Sequence, residues 1–142
     1  MQSRYLAWVK RSEFQSEILI LKDGETKVFW VGRPTADYVV LYLHGMIFEY
    51  GARERSLIKS GGGWSMPANS DHFEFAAAIV RKAETDGKSL SFAFIQYDLA
   101  PEAKYPSQMS QCVELLRYTL NTLAKEPSKV MLAGDSAGVT SL

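Results

Sequence analysis

Six consecutive positions from Tyr38 to Leu43, "YVVLYL", carry apolar or aromatic side chains with no alternation between wet and dry positions. A strand with one solvated face alternates, so this unbroken run predicts a strand covered on both faces of a sheet. "SFAFIQYDLAP", residues 91–101, repeats that character and ends at Pro101. "KVMLA", residues 129–133, is a third strand that runs into a glycine-flanked turn. Between these runs the period changes. In "SDHFEFAAAIVRKAETDG", Phe73, Ala76, Ala77 and Val80 recur at the spacing of one helix face, with Ser70 placed to cap the start and Gly87 to stop it. In "SQMSQCVELLRYTLNTLAKEP", Met109, Val113, Leu116, Leu120 and Leu123 make a second helical stripe, which Pro127 closes. Residues 16–31 hold two β-prone runs joined by Asp23-Gly24, a dipeptide that tolerates positive φ, and so predict an antiparallel hairpin at a sheet edge. Strand, helix, strand, helix, strand is the pattern of a parallel sheet wound by right-handed crossovers, and the fold class is α/β.

Composition narrows the partners. The chain has 142 residues, enough for one ordinary domain, and its 46% hydrophobic and 23% charged residues are those of a globular protein. Sixteen basic residues balance sixteen acidic ones, spread along the chain, so no stripe of positive charge offers itself to nucleic acid or to an anionic membrane surface. A small neutral or apolar molecule is the expected partner. Cys112 is alone and forms no internal disulfide, and the first residues lack the apolar run of a signal peptide, which together point to an intracellular setting. The apolar runs fall far short of the roughly twenty residues that span a bilayer, so no membrane span is expected. No metal-ligand spacing or phosphate-cradling loop appears, and no cofactor is expected. The oligomeric state stays open.

Gly134-Asp135-Ser136-Ala137-Gly138 has the form G-x-S-x-G immediately after the third strand, which is the context that gives this motif meaning. A sharp turn from strand into helix strains the serine backbone and presses the positions two residues away against neighbouring elements. Gly134 and Gly138 relieve that crowding and leave Ser136 Oγ exposed. Ser136 is the candidate nucleophile, with an ordinary glycine turn as the alternative.

Three motifs now stand in order: His44-Gly45 with Gly61-Gly62-Gly63, Tyr97 to Glu102 ("YDLAPE"), and Gly134 to Gly138. The set resembles the α/β-hydrolase superfamily, and within it the hormonesensitive-lipase-like esterases, over roughly residues 38–138. The resemblance implies a mostly parallel sheet with flanking helices and an antiparallel N-terminal hairpin, and it implies hydrolysis of small carboxylic esters. Ser136 would attack the acyl carbon. The backbone N–H groups of Ala137 and of Gly45, Gly62 and Gly63 would hold the oxyanion, about 3 to 4 kcal/mol for a single donor. Glycine suits that loop because the backbone itself must reach the substrate. His44 would shape the loop without serving as base, Asp135 would flank the nucleophile, and Glu102 would brace the loops. Asp98 reads as structural. His72, at a helix start, reads as a surface or capping residue, and Trp64 and Met66 line either an acyl pocket or the core.

Two features depart from the family. The superfamily places its triad acid and histidine after the serine, yet only six residues follow Ser136 and both histidines precede it. The expectation is a partial α/β-hydrolase domain over residues 1–142 that stops after the nucleophile elbow, with an exposed apolar edge at the third strand. The alternatives are a small-ligand-binding protein of the same fold that does no chemistry, and an inactive truncated product. The second departure is residues 46–61, "MIFEYGARERSLIKSG", which separate His44-Gly45 from the remaining glycines; removing them leaves "LYLHGGGWSMP", the family loop unbroken. Their coding length is a multiple of three, and codons for Gly45-Met46 and Ser60-Gly61 can supply the GT and AG of intron ends. Translated intron is the preferred reading of this inserted segment, over a surface insertion or lid, because atoms of an oxyanion loop must hold position to about half an ångström.

Overall fold

Residues Glu17–Ile20 (β1) and Lys27–Val31 (β2) form the expected hairpin, in which Asp23 Oδ1 accepts from the Glu25 and Thr26 N–H groups and Gly24 takes φ +77°. A short polar side chain that satisfies two backbone donors, followed by a residue free to turn left-handed, closes this loop at little cost. The structure is a computed structural model and describes residues 1–44, 68–98 and 106–135.

Three further strands follow: Tyr38–Leu43 (β3), Leu90–Gln96 (β4) and Val130–Gly134 (β5). They join the hairpin in the order β1-β2-β4-β3-β5. β2 pairs antiparallel with β4, while β3 runs parallel to both β4 and β5, in registers that set Val40 beside Phe92 and Leu41 beside Leu132. The sheet is therefore mixed, with its parallel part beginning at β4. From β3 the chain steps sideways to β4, then returns past β3 to β5. Right-handed crossovers in opposite directions put their helices on opposite faces, and that is the arrangement seen for Ser70–Thr85 (α2) and Ser107–Arg117 (α3).

Two cores result, one on each face. Tyr5, Trp8, Phe29, Val40, Tyr42, Phe73, Ala77, Val80 and Phe94 fill the face under α2. Val28, Trp30, Val39, Leu41, Leu43, Ile95, Cys112 and Leu115 fill the face under α3. Alternate residues of β3 thus enter alternate cores, which explains why its sequence does not alternate. All four apolar positions expected to face inward on α2 are fully buried.

Three expectations need correction. A helix at Gln2–Val9 (α1) went unread; its Tyr5 and Trp8, one turn apart, are buried against Phe29 and Phe73. The cap of α2 is Asn69, whose side chain accepts from the Asp71 and His72 N–H groups, one residue before the expected Ser70. The inward face of α3 is Gln108, Cys112 and Leu115, followed by Thr119 in the π-helical turn Tyr118–Thr122, rather than the row beginning Met109, Val113 and Leu116. Two apolar rows lie side by side on this helix. The inner one meets the sheet, and Met109, Val113 and Leu116 line a small groove with Leu41, Leu43 and Leu132. Among the described residues β5 pairs with β3 alone, and its Met131 and Leu132 are exposed, as the apolar edge required. No helix among the described residues is long and apolar enough to cross a membrane.

Candidate functional site

Parallel strands deliver their following loops to one edge of a sheet, and ligands of α/β proteins bind at that edge. β3 ends there at His44, β4 at Tyr97 and Asp98, and β5 at Asp135. Of the candidate site residues singled out in the sequence, His44, His72, Tyr97, Asp98, Gly134 and Asp135 are described, and all six lie at this end. Ser136, Ala137, Gly138, Gly45, Gly62, Gly63, Glu102, Trp64, Met66 and the whole of the segment 46–61 lie outside the described residues.

His44 is fully buried. Its ring stacks on Tyr97, with centroids 4.5 Å apart and planes 18° from parallel. The Tyr97 hydroxyl sits 3.1 Å from His44 Nδ1 and donates to the His44 carbonyl oxygen. The first residues of two separate motifs are thereby locked together, a contact between positions far apart in sequence that no local pattern announces. Burial pushes the His44 imidazole down to a pKa of about 4, and nearby His72 adds to the shift while Asp135 opposes it. His44 is neutral at pH 7. Burial likewise raises the Tyr97 hydroxyl, so it remains a donor.

Asp98 is bonded to α3. Its N–H donates to Gln111 Oε1, its carboxylate accepts from Gln111 Nε2, and its carbonyl accepts from Gln108 Nε2, which ties the end of β4 to α3.

Asp135 is the last described residue before the candidate nucleophile. Its N–H reaches the Leu43 carbonyl at 3.3 Å, so the β3–β5 ladder extends one residue past the strand. Its carboxylate lies 3.7 Å from His72 Nε2. Burial, then the nearby charge of Asp135, raise Tyr42 to a pKa of about 12. Tyr42, Asp71, His72, Phe75 and Asp135 line an open cleft of about 290 Å³. His72 was read as a surface or capping residue. It does cap, since the Asn69 N–H donates to its Nδ1 at 3.2 Å, but it is buried rather than on the surface. A larger hollow of about 420 Å³, lined by Gly32, Arg33, Glu84 and Leu90 among others, lies at the opposite end of the parallel strands from His44 and Asp135. Among the described residues no cluster of His, Cys, Asp and Glu is arranged to hold a metal ion.

A family model described as the alpha/beta hydrolase fold matches residues 58–140, more than half of the chain. A protein of Acanthamoeba polyphaga mimivirus named as an alpha/beta hydrolase is 32% identical over 81 residues, 55% of this chain and 22% of that protein. The carboxylesterase NlhH of Mycobacterium tuberculosis is 33% identical over 81 residues, 55% of this chain and 24% of that enzyme. The crystal structure of an esterase from the bacterial hormone-sensitive lipase family superposes with a TM-score of 0.64 at 26% identity, covering 99% of this chain and 41% of the esterase. The stretch shared with the curated relatives is thus about a quarter of their length, and the fold corresponds to less than half of the solved esterase.

Proposed function

The chain belongs to the α/β hydrolase fold family, and on that premise we propose that it carries the nucleophile half of a carboxylic ester hydrolase. Ser136 attacks the carbonyl carbon of a small ester, and the oxyanion is received by the N–H groups of Ala137, Gly45, Gly62 and Gly63. One observation carries the reading. Asp135 N–H still bonds the Leu43 carbonyl, so the chain enters residue 136 beside the point where His44 leads into the glycine loop. Nucleophile and oxyanion donors have to meet within about 3 Å of one reacting atom, and adjacent strand ends provide for that. The carboxylesterase name of the mycobacterial relative supports the same chemistry.

A serine hydroxyl needs a base. His44 is buried, neutral and locked to Tyr97, and His72 is committed to the start of α2 and to Asp135. Neither is assigned that role, and the triad acid and histidine are assigned to residues other than these 142. Residues 46–61 are read as an interruption of the oxyanion loop. The family match starts at residue 58, past His44-Gly45, so residues 46–57 of this segment lie outside it.

The test is hydrolysis of p-nitrophenyl acetate by the complete reading frame that contains these residues. Ser136→Ala is expected to lower kcat by about 10⁶-fold, the scale for losing a triad serine. Hydrolysis that survives the substitution refutes the nucleophile assignment, and ester binding without turnover favours the non-catalytic binding protein.

A further inference from the structure

We propose that His72 is a positioning residue for this site: it holds the Asp135 carboxylate and, through it, the backbone that enters Ser136. The catalytic consequence rests on the ester-hydrolase reading above; the contact itself rests on geometry.

Beyond Gly134 the chain leaves β5, and among the described residues the ladder bond there, Asp135 N–H to the Leu43 carbonyl, is 3.3 Å, past the usual range for such bonds. A nucleophile displaced by 1 Å can lose about a hundredfold in rate. The Asp135 side chain supplies a second hold. It lines one cleft with Tyr42 of β3 and lies 3.7 Å from Nε2 of His72 on the first turn of α2, so three elements converge on one carboxylate.

His72 is fixed before it meets Asp135. Its side chain is only 7% exposed, its ring meets Tyr42 edge-on with centroids 6.0 Å apart, and its Nδ1 lies 2.7 Å from Asn69 Oδ1 and 3.2 Å from the Asn69 nitrogen. Oδ1 accepts from two backbone N–H groups, which identifies that atom as oxygen. Two states of the ring, the Nε2–H tautomer and the imidazolium, direct a proton from Nε2 at the carboxylate. The third, protonated on Nδ1 alone, donates to Asn69 Oδ1 at 2.7 Å but turns a lone pair towards the carboxylate, so only the imidazolium serves Oδ1 and Asp135 together. At 3.7 Å the contact is electrostatic rather than a hydrogen bond, and partial burial strengthens it over its value in water.

Capping does not account for this arrangement. A capping box uses a single acceptor on the third helical residue, and glutamine provides it as well as histidine does. Only Nδ1 of His72 serves the cap; Nε2 faces Asp135.

His72→Gln in the complete reading frame separates the two roles, because it keeps the cap and removes Nε2. The proposal expects amide hydrogen exchange at Asp135 to quicken about tenfold while the amides of Ala76 and Ala77 on α2 keep their rates. It expects kcat for p-nitrophenyl acetate to fall about tenfold at unchanged KM, as for a displacement well under 1 Å. Asp135→Asn is expected to do the same, and the double variant to fall no further. Unchanged exchange at Asp135 in His72→Gln overturns the proposal, and so do two effects that multiply in the double variant. If the unsubstituted protein does not hydrolyse the ester, the Ser136 reading fails while the exchange measurement still decides whether the contact exists. If Asp135→Asn does not fold, exchange in His72→Gln decides alone.

Discussion

Removing His44 from water, at the end of β3, changes what its imidazole can do. A ring whose pKa is pushed down to about 4 accepts a proton poorly at neutral pH, so His44 is unsuited to deprotonating a serine and suited to being a fixed, uncharged wall of the loop it starts. The loop role proposed for His44 comes from the family resemblance of the His-Gly pair; the stacking on Tyr97 was not legible, because the two rings come from different strands and meet only once β3 and β4 pair. The burial carries a pH signature. In the unfolded chain this imidazole titrates near 6.5, so between pH 6.5 and 4 the unfolded state binds more protons than the folded one. Stability is then complete above pH 6.5 and falls as the pH drops towards 4, by up to about 3 kcal/mol from this residue. Urea midpoints at pH 7 and pH 4.5 are expected to separate more in the native protein than in His44→Gln, and an equal separation in both contradicts a buried neutral ring.

Elements carry their own tests. The bend after β2 puts Gly32 at φ +91°, and a β-carbon there would meet the Leu90 carbonyl oxygen at 3.0 Å and Ser91 Cβ at 3.1 Å. Gly24 also has positive φ, +77°, but nothing lies within 4 Å of the space a β-carbon would take. Gly32→Ala is expected to cost about 2 kcal/mol or more, conformational strain plus backbone collision, and Gly24→Ala only the strain of about 1 kcal/mol. Equal losses in a denaturant titration would mean that β2 and β4 do not approach as described. The same comparison of local and tertiary causes explains which helices could be read. The row Phe73, Ala76, Ala77 and Val80 on α2 is buried, while Phe75 off that row is exposed. α3 carries two adjacent rows, and periodicity cannot say which meets the sheet; the hydrogen bond from Gln108 to the Asp98 carbonyl helps turn the Cys112 and Leu115 row inward. α1 has eight residues and offers too short a window for its spacing to stand out, yet its two aromatic side chains decide its place.

For the whole molecule, runs of continuous apolar residues reported that strands would be covered on both sides, and the two cores bear this out. Strand order was not legible, because an apolar run does not encode which neighbour it will pair with. The sheet order brings the ends of β3 and β5 together and so places His44 and Asp135, far apart in sequence, at one edge. For the interruption proposed at residues 46–61 the splicing account makes a plain prediction: the mature transcript lacks the codons for these residues and encodes "LYLHGGGWSMP". An abundant transcript that retains them refutes that account. The central claim is that Ser136 is a nucleophile presented at the end of β5, and the most direct measurement is peptide mapping by mass spectrometry after treating the protein with an alkyl fluorophosphonate. The account predicts a phosphonyl adduct on the peptide containing Ser136, lost in Ser136→Ala; an adduct on another residue, or an unmodified Ser136 in a protein that hydrolyses esters, would contradict it.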